Sequence, residues 1–128
     1  MPQAFAPLPR GNSIAGQRSR GATVRYTLSE TARVRFAVQR RTTGRRVGRR
    51  CVKTTSRNLS RRRCTRFVRV RGSFRHAGTA GPNRFRFSGR VRRRPLRRGR
   101  YRLVARAVDR AGNRSKVTRA GFRVVRRR

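Results

Sequence analysis

The stretch PLRRGRYRLVARAVDRAGNRS, Pro95 to Ser115, decides how the rest of the chain is read. Turn-forming residues bound it on both sides, Pro95 to Gly99 before and Asp109 to Asn113 after. Between them Tyr101, Leu103, Ala105 and Ala107 alternate with Arg100, Arg102 and Arg106. Successive strand side chains point to opposite faces, so the run predicts a strand with one buried face and one wet face.

The same period recurs on either side. In 22–28, Val24, Tyr26 and Leu28 alternate with Thr23, Arg25 and Thr27; in 32–39, Val34, Phe36 and Val38 alternate with Arg33, Arg35 and Ala37. The short Ser29–Glu30 link predicts an antiparallel hairpin between them. Strand character returns over 65–74, over 84–91 with Phe85 and Phe87 inward, and over 118–125 with Phe122 and Val124 inward. HAGTAGPN, 76–83, reads as a turn cluster. From Arg40 to Arg63 the pattern vanishes into a polar, glycine-dotted, basic stretch, long for a loop in a compact domain. Pro2, Pro7 and Pro9 make residues 1–11 a linker or edge segment. Residues 12–126 then form the domain and 127–128 a basic tail. About seven short strands with turns every ~8–12 residues predict an all-β antiparallel sandwich or small barrel.

Charge is the other dominant feature. The formal net charge is +38, with 40 basic residues against two acids, Glu30 and Asp109. All the basic residues but Lys53 and Lys116 are arginine. GC-rich coding would account for arginine over lysine, but not for the scarcity of carboxylates. Leu, Ile, Val and Phe number 26 of 128, close to the ~20% below which charged chains tend to be disordered. The strand spacing of those few residues argues for a fold, one that self-repulsion makes salt-sensitive. No apolar run approaches the ~20 residues that span a bilayer. The opening MPQAFAPLPRGNS lacks the charged and continuous apolar regions of a secretory signal. That leaves a chain that stays inside the cell or a piece of a longer exported protein. With two carboxylates and one histidine, acid–base catalysis has few groups to use, so no enzyme, cofactor or small-molecule substrate is expected.

YTLSETARVRFAVQRR, CTRFVRVRGSF, NRFRFSGRV and LRRGRYRLVARAVDRAGN together resemble an immunoglobulin-like, fibronectin-III-like module found near the C-terminus of exported proteins of GC-rich Gram-positive bacteria. Leu96, Gly99 and Tyr101 match its L-x-x-G-x-Y corner, and Asp109, Gly112 and Asn113 its D-x-x-G-N turn. The resemblance covers about 21–125 and implies an Ig-like β-sandwich without catalytic machinery, used as a spacer, adhesion or accessory unit. This chain is far more basic than such modules usually are.

Cys51 and Cys64 flank the basic stretch RRCVKTTSRNLSRRRC. An exported location favours a disulfide clasping it, whereas a reducing cell would leave two free thiols. Two cysteines and His76 cannot supply four zinc ligands, so no metal site is expected. Asp109, alone among arginines, suits turn capping with Gly112 or Asn113 at positive φ better than calcium binding. Tyr101, two residues after Gly99, fits a corner whose hydroxyl bonds back to the backbone. His76, placed in a turn, has no catalytic partner in a recognisable motif. The arginine runs Arg61, Arg62 and Arg63, then Arg92, Arg93 and Arg94, then Arg97 and Arg98, are the candidate polyanion-binding residues. The expected function is a non-catalytic accessory or adhesion module of an exported or cell-surface protein. Its expected partners are anionic cell-wall polymers or lipid headgroups. The alternative is an intracellular arginine-rich protein that binds RNA or DNA non-specifically through phosphates.

Overall fold

The computed structural model describes residues 3–5, 7, 13–15 and 21–125. The linker assigned to 1–11 falls largely outside these residues, and the tail 127–128 wholly so. The described chain is all β: β1 (Gln3–Phe5), β2 (Ile14–Ala15), β3 (Ala22–Leu28), β4 (Ala32–Val47), β5 (Arg50–Lys53), β6 (Arg63–Arg69), β7 (Phe74–Gly78), β8 (Gly81–Phe87), β9 (Arg90–Val91), β10 (Arg94–Pro95), β11 (Gly99–Val108) and β12 (Thr118–Val124). Seven of these have five or more residues. No helix among the described residues is long and apolar enough to cross a membrane.

The large sheet runs β1-β12-β11-β4, with β7 and then β6 along the other edge of β4. All its pairings are antiparallel except β1 with β12. A smaller sheet, β2-β8-β3, lies against it. The alternation read from Tyr101 outward positions the core. Val34, Phe36 and Val38 of β4, Tyr101 and Leu103 of β11, and Phe122 and Val124 of β12 are buried. They meet Ala22, Phe85 and Phe87 of the smaller sheet. The seam is aromatic: Phe36 meets Phe85 edge-on at 5.0 Å, Phe74 stacks on Phe87 at 5.3 Å, and Tyr101 stacks on Phe122 at 5.5 Å. Each buried aromatic withdraws a large apolar area, so few residues suffice for a core.

Three sequence expectations are corrected. β3 and β4 form no hairpin, because β3 pairs β8 while β4 pairs β11 over Arg33–Arg40. The link 29–31 instead carries the chain between sheets, so the apolar faces of β3 and β4 oppose each other across the core, with Tyr26 5.8 Å from Phe36. The stretch 76–83 is mostly strand, and only Thr79 and Ala80 lie between β7 and β8. His76 therefore sits on β7, not in a turn. Its Nδ1 is hydrogen-bonded to the Tyr26 hydroxyl, and its ring lies 4.7 Å from Phe85.

The third correction concerns 40–63. The basic stretch is not one loop: β4 continues to Val47, turns at Gly48 (φ 60°) and Arg49, and returns as β5. With β6 on its other side, β4 forms the middle of a three-stranded arm. In a flat sheet β5 and β6, two ladders apart, would lie ~10 Å from each other. The Cys51–Cys64 disulfide joins them with Cα atoms 5.9 Å apart, so the arm curls over its central strand. Gly44 lies beneath the bridge, where a Cβ would come 2.8 Å from Cys51 Sγ and 2.6 Å from the Val52 carbonyl oxygen. The remaining irregular stretch, 54–62, is pinned by buried Asn58. Its side chain accepts from the Thr55 N–H at 2.8 Å and donates to the Lys53 carbonyl at 2.9 Å.

Candidate anion-binding face

Burying the apolar side of β11, β12 and the first half of β4 turns their other side outward, and that side is largely arginine. On β4 the outward residues include Arg33, Arg35 and Arg41; on β11, Arg100, Arg102 and Arg106; on β12, Arg119 and Arg123; on β7, Arg75. Strand register sets them side by side. Arg35 lies opposite Arg106 on one side and Arg75 on the other, a three-strand row of like charges. Arg100 lies opposite Arg123. Like charges directly opposite destabilise a sheet, so this face carries a standing repulsion.

The face has two open hollows. The first, about 630 Å³, is walled by Arg33, Arg35, Arg75, Arg106, Arg110 and Arg114, over Ala77 and Val108. Asp109 stands at its rim with both carboxylate oxygens engaged. The Asn113 backbone N–H donates to Oδ1 at 2.8 Å and its side-chain amide to Oδ2 at 3.0 Å. Those hydrogen bonds hold the Asp109 carboxyl below the usual carboxylate range. The second hollow, about 670 Å³, is walled by Arg41, Arg100, Arg102, Arg119 and Arg123, with Phe67 beside them. Arg102 is fixed within it. Its Nε donates to Gln39 Oε1 at 2.5 Å, and its guanidinium carbon lies 3.5 Å from the centre of the Phe67 ring. Burial first, and then the charge of Arg119, pull the Arg102 pKa below its ordinary value. Between the hollows lie Ala37 and Val104, paired in register.

The arginine runs singled out from sequence lie elsewhere. Arg61 and Arg62 end the irregular stretch of the arm and Arg63 opens β6; the Arg61 carbonyl accepts from Arg45 Nη1 at 3.0 Å. Arg92 and Arg93 form the tip of the β9–β10 hairpin, Arg94 belongs to β10, and Arg97 and Arg98 lead into β11. All eight are exposed, but they sit at three separate connections, and other arginines line the two hollows. The missed signal was the R-x-R alternation itself, in 33–35 and 100–102, which reads as an ordinary wet face until register aligns the strands. Tyr101 is buried, and its hydroxyl donates to the Arg97 carbonyl at 2.6 Å. Burial raises its pKa, partly offset by Arg40 and Arg97. Gly112 takes φ 85° in the turn after β11, and its N–H donates to the Asp109 carbonyl at 3.1 Å.

Chemically, the face offers guanidinium forks in rows and few rings: of the aromatics lining the second hollow Tyr101 and Phe122 are buried, and Phe67 carries Arg102 on one face. Such an array holds phosphates or carboxylates through charge-assisted bidentate bonds. Compared with protein-family models, curated proteins and solved structures, the chain matches none.

Proposed function

We propose that this chain is a non-catalytic, Ig-like accessory or adhesion module of an exported or cell-surface bacterial protein, which holds anionic polymers on the outer face of its large sheet. The observation that carries this reading is the Arg75–Arg35–Arg106 row: three like charges in register on a face with no carboxylate of its own row. A sheet that needed only solubility would gain from mixed charges, whereas a polyanion turns the same repulsion into binding. The Cys51–Cys64 bridge supports placement in an oxidising compartment. Phosphate is the chemistry shared by wall polymers and lipid headgroups.

Calorimetric titration of the folded protein with poly(glycerol phosphate), and separately with vesicles of anionic phospholipid, tests the reading. An Arg35→Gln/Arg75→Gln/Arg106→Gln variant is expected to lose at least tenfold in polymer affinity, and an Arg92→Gln/Arg93→Gln/Arg94→Gln variant of equal charge much less. Equal losses would make the binding a matter of net charge and overturn the assignment to the face. Thiols free in the native compartment, with RNA retained through moderate salt, would overturn the exported placement.

A further inference from the structure

The arginine face is bipartite, and the two parts are a fixed distance apart. Arg35 and Arg106 face each other in the first hollow; six residues along the same strands, β4 and β11, Arg41 and Arg100 line the second. Strands rise about 3.4 Å per residue, so these outer pairs are about 20 Å apart along the strand direction, while Arg102, the nearest member of the second hollow on β11, is about 14 Å from Arg106. Ala37 and Val104, small and uncharged, separate them. A compact anion reaches one cluster. Only a linear one reaches both.

The geometry points to a linear phosphodiester polymer, without bases, lying along β4 and β11 and bridging both arginine clusters. The inference rests on the polyanion reading above and names its ligand more closely. A phosphodiester joined through three carbons repeats every six backbone bonds, about 7 Å when extended, twice the reach of a three-bond peptide unit. Two repeats, or three phosphates, therefore reach from Arg106 to Arg102, and about three repeats, or four phosphates, span the full 20 Å. Once one phosphate is seated, the second cluster is engaged intramolecularly, which adds affinity without a new kind of contact. A row of open rings for successive bases is missing among the residues lining the two hollows: Tyr101 and Phe122 are buried, and Phe67 carries the Arg102 guanidinium on one face.

The test is a length series on the intact, oxidised protein at fixed ionic strength. Glycerol-phosphate oligomers of one to ten repeats are titrated beside inorganic polyphosphates, whose two-bond repeat is about a third as long. Affinity is expected to step up by on the order of 10²-fold at three to four glycerol phosphates. With polyphosphate the step is expected only at about three times as many repeats, because length and not charge sets it. Arg35→Gln/Arg75→Gln/Arg106→Gln and Arg41→Gln/Arg100→Gln/Arg123→Gln should each remove the step while leaving binding of the shortest oligomers within a few-fold. A smooth rise with charge number, identical for both polymers, overturns the bridging inference and leaves the broader reading standing. No binding of even the longest oligomers overturns both. An oligonucleotide that binds more than tenfold tighter than its abasic counterpart overturns the base-free ligand. The wild-type length series decides the matter even if a variant fails to fold.

Discussion

Arg92 and Arg93 adopt φ of 52° and 65° at the tip of the β9–β10 hairpin, with Val91 and Arg94 paired below them. A two-residue turn with both central residues left-handed ordinarily uses Asn-Gly, because most side chains destabilise that conformation by roughly 1–2 kcal/mol each. Arg92 is held there partly by packing on Gly72, where a Cβ would come 2.4 Å from Arg92 Cγ. Replacing Arg92–Arg93 by Asn-Gly should stabilise the fold by about 1 kcal/mol, read as a melting temperature about 4 °C higher in a thermal scan. His76 gives a pH dependence. Burial against Tyr26 and Phe85 lowers its pKa, so between that value and the ordinary ~6.5 the unfolded chain binds the extra proton. The stability it contributes is fully present above pH ~6.5 and is lost as pH falls through the lowered folded value. Denaturant titrations from pH 8 to 5 should show this decline, and His76→Gln should flatten it. At this scale the sequence was legible for inward residues, because an aromatic recurring at period two between arginines has nowhere to go but a core. It was poorly legible for outward arginines, whose meaning depends on which strand lies beside them.

The arm formed by β4, β5 and β6 shows what a pattern of apolar residues cannot report. Strands are recognised from sequence by a buried face, and beyond Arg41 there is no second sheet to bury one against. Thr42, Thr43 and Val47 still pair by backbone hydrogen bonds, and the disulfide takes the place of a core. The Gly48–Arg49 pair, between β-branched Val47 and a returning strand, was the available turn signal. The missing β3–β4 hairpin has a related cause: alternation shows that both strands have apolar faces, but not whether those faces lie side by side or opposed. Reducing the Cys51–Cys64 bridge, which spans 13 residues, should cost about 3 kcal/mol. Hydrogen exchange should then accelerate in 44–64 while Phe36, Leu103 and Phe122 stay protected. Gly44→Ala should have a similar effect without reductant, since its methyl group would enter the space held by Cys51 Sγ and the Val52 carbonyl. Native-like protection of 44–64 in that variant would contradict the curled arm.

Taken whole, the molecule sets a small aromatic core against a very large uniform charge, +38 with two acids to offset it. Repulsion on the large-sheet face should be relieved by anions that fit paired guanidinium groups, beyond what simple screening provides. At equal ionic strength, phosphate or sulfate should therefore raise the melting temperature more than chloride, and the Arg35→Gln/Arg75→Gln/Arg106→Gln variant should lose most of that difference. The most direct measurement of polymer binding along the face is chemical-shift mapping of isotopically labelled protein with a glycerol-phosphate oligomer of ten repeats. Shifts should concentrate at Arg35, Arg75 and Arg106 and at Arg41, Arg100 and Arg123, along β4 and β11 and their neighbours β7 and β12. Shifts centred on 61–63 and 92–98, or spread evenly over all exposed arginines, would contradict it.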